Sequence, residues 1–141
     1  MINRFCLVLG LFVFATISAF AQNGRTIQVD VMYTGSGTVD ASHKIFVALW
    51  DSADFNSGPP VATKSLDTKK GTVTFTDVGK VPAYVSTAYD PTGAWDAQSA
   101  PPSGTSLGMY STNPPAPAPI DVAPGKTAKV KIDFGDAIKV P

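Results

Sequence analysis

Apolar and polar side chains alternate with period two along much of this chain. Between Thr26 and Tyr33, Ile27, Val29, Val31 and Tyr33 share one side, and Gln28, Asp30 and Met32 share the other. Between Thr127 and Phe134, Ala128, Val130, Ile132 and Phe134 alternate with Thr127, Lys129, Lys131 and Asp133. Successive side chains of a strand point to opposite faces, so this pattern predicts strands with one face on a core. Thr72 to Thr76 repeats it, with Val73 and Phe75 inward. Lys44 to Trp50 is nearly continuous in apolar residues, IFVALW. That run suits a strand buried on both faces, or a core strand whose outer face a loop covers. Ala83 to Tyr89 is also extended, with Tyr84, Ser86 and Ala88 on one face and Val85, Thr87 and Tyr89 on the other. Val61 to Leu66, Leu107 to Tyr110 and Ile120 to Val122 are shorter strand candidates.

Glycine and proline punctuate these runs. Thr34 to Thr38 (TGSGT) reads as a turn or flexible loop, and Asp51 to Pro60 as a long loop with one helical turn at Ser52 to Phe55. Asp67 to Gly71 reads as a hairpin turn with Gly71 left-handed. Asp77 to Pro82 is a crossing in which Gly79 permits a positive φ. Pro124 and Gly125 take the central positions of a type II turn. Asp90 to Pro119 is the least regular stretch and holds seven of the twelve prolines. Its Pro-Ala alternation favours an extended polyproline conformation along an open sheet edge. About seven short strands without helical periodicity predict an all-β, antiparallel sandwich with Ig-like architecture and a long Pro-rich loop. A closed barrel is the alternative.

The stretch GTVTFTDVGKVPAYVSTAYD resembles the prealbumin-like sandwiches, a group that includes the carboxypeptidase regulatory-like domains of secreted bacterial proteins. The residues that carry the resemblance are Phe75, Val78, Gly79, Tyr84, Tyr89 and Asp90, and it extends over about Thr26 to Phe134. The crossing reads Val81-Pro82-Ala83-Tyr84, where the group has a Pro-Gly-x-Tyr order. The resemblance implies a binding, spacer or accessory role.

Residues 1–21 carry Arg4, then an apolar run from Phe5 to Phe20, then Ala19-Phe20-Ala21. This pattern predicts a cleaved signal peptide, with an uncleaved N-terminal anchor as the alternative. The expected sandwich spans residues 22–134, with a tail over 135–141. The expected location is secreted or periplasmic, with no membrane insertion after cleavage. Cys6 is the single cysteine and lies in the leader, so the domain must hold by its core alone. Formal charge is zero overall, and losing Arg4 makes the remainder slightly acidic. That balance predicts no nucleic-acid partner; a protein or glycan is the expected kind of partner. Every acidic side chain is aspartate, a residue of turns and caps.

Candidate chemistry is sparse. His43 is the single histidine, and no spacing supports a Ser-His-Asp site. Asp90 and Asp96, in DPTGAWD, are the best carboxylate pair. They suit an Asp-based hydrolase, a loose calcium site, or the blander role of turn caps. Alternation of strand direction would bring Asp40, His43, Asp90 and Asp96 to one end of the sandwich. Trp95 and Tyr110, with Tyr89 beside them, are the candidate ligand-binding aromatics, because indole and phenol rings form platforms for sugars or peptides. The opposing reading folds these rings back as a lid over the sheet. The expectation is a non-enzymatic binding or accessory module without a cofactor, with a carbohydrate-binding domain as runner-up.

Overall fold

A computed structural model describes residues 23–141; the leader peptide reading falls outside these described residues. The described chain is all-β, with seven strands and no helix. They are β1 (Thr26–Tyr33), β2 (Ile45–Trp50), β3 (Ala62–Leu66), β4 (Lys70–Phe75), β5 (Tyr84–Tyr89), β6 (Ser106–Met109) and β7 (Thr127–Phe134). One sheet has the order β4-β1-β7 and the other β3-β2-β5-β6. Their inner faces meet in one core. β1 contributes Ile27, Val29, Val31 and Tyr33, β2 contributes Ile45, Val47 and Leu49, and β7 contributes Val130, Ile132 and Phe134. Period-two burial is therefore the feature of the sequence that folds it into two layers.

Four strand pairs are antiparallel, but β1 and β7 are parallel, with Thr26 opposite Thr127 and Tyr33 opposite Phe134. This corrects the expectation of a wholly antiparallel sandwich. The reason is parity: successive strands alternate in direction, and β1 and β7 are both odd. Side by side, they must run the same way.

Three connections also differ from expectation. Asp67 to Lys69 does not close a hairpin, because β3 and β4 belong to different sheets. Gly71 lies inside β4 without a positive φ. In the crossing from β4 to β5, the left-handed residue is Asp77 (φ 53), not Gly79; aspartate tolerates that conformation better than most side chains. Ser52 to Phe55 is not helical; the turn in this loop runs from Asp54 to Ser57, whose N–H donates to Asp54 O at 3.2 Å. Pro124-Gly125 behaves as read: Gly125 has φ 72, and Lys126 N–H donates to Ala123 O at 3.0 Å.

β6 interrupts the irregular stretch between Asp90 and Pro119. Beyond it the chain doubles back, and Ile120 forms only an isolated bridge to Ala83, so Ile120 to Val122 is not a strand. The tail is not loose. Leu107 N–H donates to Ile138 O at 2.9 Å, Val140 N–H to Thr105 O at 2.9 Å, and Gly104 N–H to Val140 O at 2.9 Å. Residues 138–140 thus lie along the free side of β6 as a short strap.

Candidate binding site

The connections after β1, β3, β5 and β7 gather at one pole, marked by Tyr33 and Tyr89. Their rings pack 4.6 Å apart, and Tyr33 also meets Phe134 at 5.1 Å. The glycines of TGSGT are needed here by close approach. A Cβ on Gly37 would run into the Tyr89 ring, and one on Gly35 would meet Tyr33 and Asp136. The loop is therefore a fitted cover over two tyrosines. Asp136, from the crossing after β7, locks it. Its Oδ1 accepts from Tyr33 OH at 2.5 Å and Ser106 Oγ at 2.7 Å, and its Oδ2 accepts from Ser36 N–H at 2.9 Å. The Tyr33 hydroxyl, the Ser36 amide and the Ser106 hydroxyl hold the Asp136 carboxyl well below the usual carboxylate range. Burial, reinforced by the bond to Asp136, pushes Tyr33 up to about 12.

The loops bearing Asp40, His43, Asp90 and Asp96 do come together at this pole, and each of these side chains makes hydrogen bonds within its own loop. His43 Nδ1–H donates to Asp40 Oδ1 at 2.9 Å. That bond and the His43 and Ser42 amides hold Asp40 below its ordinary value. Among the described residues, the side-chain partner of His43 is Asp40. Asp90 is 2% exposed. Its Oδ1 accepts from Thr92 N–H at 2.9 Å, its Oδ2 accepts from Trp95 N–H at 3.0 Å, and Thr92 Oγ1 reaches both oxygens. Burial raises the Asp90 carboxyl, but the Thr92 and Trp95 donors outweigh it and hold the group below its ordinary value. Asp96 Oδ1 accepts from Gln98 N–H at 2.9 Å. Both aspartates act as turn caps in this geometry. No group of three or more His, Cys, Asp or Glu suited to a metal ion occurs among the described residues.

Gly93 lets the two loops meet. It has φ 70, and a Cβ there would stand 2.6 Å from Ser42 O and 3.1 Å from the His43 ring. This contact shapes a cleft of about 250 Å³ between the loops and the end of β2. Trp95, Phe46, Lys44, Asp96, Ser42 and Ser65 are among its lining residues.

Phe46 opens onto a larger surface. On β2 the inward residues are Ile45, Val47 and Leu49, so Phe46, Ala48 and Trp50 face outward, all half-buried. On β5 the outward residue opposite Phe46 is Ala88, and Tyr84 stands opposite Trp50. Loop aromatics frame both ends of this row. Trp95 meets Phe46 edge-on at 5.2 Å and 79°, and Phe55 meets Trp50 at 5.1 Å. Trp50 Nε1–H donates to Ser86 Oγ at 2.8 Å, and Trp95 Nε1–H to Ser99 O at 3.1 Å.

The aromatics singled out from the sequence separate here. Trp95 belongs to the outer row. Tyr89 is 2% exposed, and its hydroxyl donates to Thr38 O at 2.7 Å, so it is a core residue rather than a ligand platform. Tyr110 is half-buried and packs against the core cluster, whereas Trp95 packs against Phe46. Phe46, Trp50 and Tyr84 were missed as surface residues because IFVALW and AYVSTAY carry apolar side chains on both faces. Asp136 was missed because it sits in the tail. Comparison with protein-family models, with curated proteins and with solved structures gives no match to this chain.

Proposed function

We propose that this chain is an exported, non-enzymatic binding module of the prealbumin-like or Ig-like kind. Its binding surface is the outer face of the β3-β2-β5-β6 sheet. The observation that carries the reading is the half-exposed row of Phe46, Trp50 and Tyr84, bounded by Trp95 and Phe55. A sandwich needs one inner face per sheet to fold. Aromatic rings on the second face add nothing to that core, and their partial exposure leaves apolar area available to a partner. Phe46 and Trp50 are four residues apart on one strand, a separation of roughly 13 Å. That length suits an extended ligand, glycan or peptide, laid along β2. The irregular segment from Asp90 to Thr105, with Pro91, Pro101 and Pro102, supplies Trp95 at one end of the row.

A carboxylate-based hydrolase finds less support. A general acid needs its carboxyl raised toward neutral pH, whereas Asp90 is held low and both its oxygens are engaged.

The test is to screen the exported domain and its Trp50→Ala variant against an oligosaccharide array and a peptide array. Retention of one ligand class by the wild type, weakened about tenfold or more in Trp50→Ala, is expected. Equal retention by both proteins, or none on either array, overturns the reading; melting curves show whether the variant is folded.

A further inference from the structure

We propose that the cleft between Trp95 and Lys44 holds one uncharged sugar residue of a glycan chain, its ring face against the indole. This rests on the binding-module reading and names the ligand class. Size comes first. Drug-sized ligands occupy pockets of about 300–1,000 Å³, and this cleft, at about 250 Å³, takes roughly one ring.

Its chemistry is mixed in a particular way. Trp95 and Phe46 supply apolar walls, which match the C–H face of a pyranose. Lys44 can only donate hydrogen bonds and ionised Asp96 can only accept them, while Ser42 and Ser65 do both. Lys44 forms no ion pair and no side-chain hydrogen bond among the described residues. Asp96 uses only Oδ1, for the Gln98 amide, which leaves Oδ2 open. Sugar hydroxyls are donors and acceptors at once, so one ring can answer both groups. An anionic ligand would meet Asp96 and the buried Asp90 charge, and a cationic one would meet Lys44. A wholly apolar ring would strip water from both without replacing it. A neutral, hydroxylated ring with one apolar face meets each condition. Phe46 belongs to both the cleft and the outer row, so neighbouring residues of the chain would extend from the cleft toward Trp50.

The two tryptophans provide the readout, since each contributes one indole N–H resonance in a nitrogen-15 spectrum. The domain is titrated with cellotetraose, mannotetraose and chitotetraose, and with tetragalacturonate as the charged comparator. A neutral oligosaccharide is expected to shift the Trp95 indole. Lys44→Met and Asp96→Asn, neither of which removes core packing, are each expected to weaken that binding about tenfold. A shift of the Trp50 indole alone overturns the cleft assignment and leaves the binding face standing. Response to tetragalacturonate alone overturns the uncharged ligand. Failure of every sugar, alongside a peptide ligand from the array, overturns the sugar and spares the module. Failure of every probe removes both.

Discussion

Asp136 and Tyr33 share one hydrogen bond, and their titrations bear on stability in opposite ranges of pH. The folded Asp136 carboxyl lies below its unfolded value, so its contribution is complete above about pH 4 and is lost as pH falls further. Tyr33 lies above its unfolded value, so its contribution is complete below about pH 10 and is lost as pH rises toward about 12. Urea midpoints measured against pH should therefore show a plateau with an acid and an alkaline limb. In Asp136→Asn the plateau should drop and the acid limb should flatten. An unchanged acid limb would show that Asp136 does not set it. Thr87 presents the reverse situation. It is 1% exposed, lies on the core face of β5, and its Oγ1 has no hydrogen-bond partner. A buried hydroxyl left unpaired costs about 1–3 kcal/mol. Thr87→Val keeps the branched shape, and chemical denaturation should show it more stable by ~1 kcal/mol.

At the level of elements, legibility followed how one-sided each strand is. β1 and β7 turn every second residue toward the core, and their bounds were readable from alternation alone. β2 and β5 were readable as strands, but their outward faces were not. Phe46 and Trp50 look like core in the sequence, because only the registry of neighbours decides which side of a pleat is covered. The clustering of loops at one pole was also readable, since it needs only alternating direction. Asp136 was not, because its partners Tyr33, Ser36 and Ser106 lie far away in the chain. Nor was the strap: Ile138 and Val140 gave an apolar hint without a partner. Its role can be measured. Truncation after Ala137 keeps Asp136 but removes the acceptors Ile138 O and Val140 O. Hydrogen exchange should then speed up at the Leu107 and Gly104 amides, while those of β5 stay protected. Unchanged exchange at Leu107 would mean that the strap is frayed in solution.

Across the whole molecule, the pairing of β1 with β7 joins residues about a hundred positions apart in sequence. Loop closure of that span must precede any gain from the pair, so non-local sheets of this kind fold in milliseconds to seconds. Stopped-flow tryptophan fluorescence should give refolding in that range; microsecond refolding would be inconsistent with this topology. The closure also explains why a core without disulfide support can hold: the first and last strands are stitched through eight consecutive registered positions. The strap along β6 has one more consequence. Fibrous polymers grow when a subunit offers two complementary open flanks, because each added copy must leave a fresh one behind. In the larger sheet, residues 138–140 occupy one flank, and the other ends at β3, where Lys64 reaches across to Thr74 O. Residues 138–140 thus cover a flank of β6 that would otherwise be open to strand addition, and a proteolytic nick there would expose it.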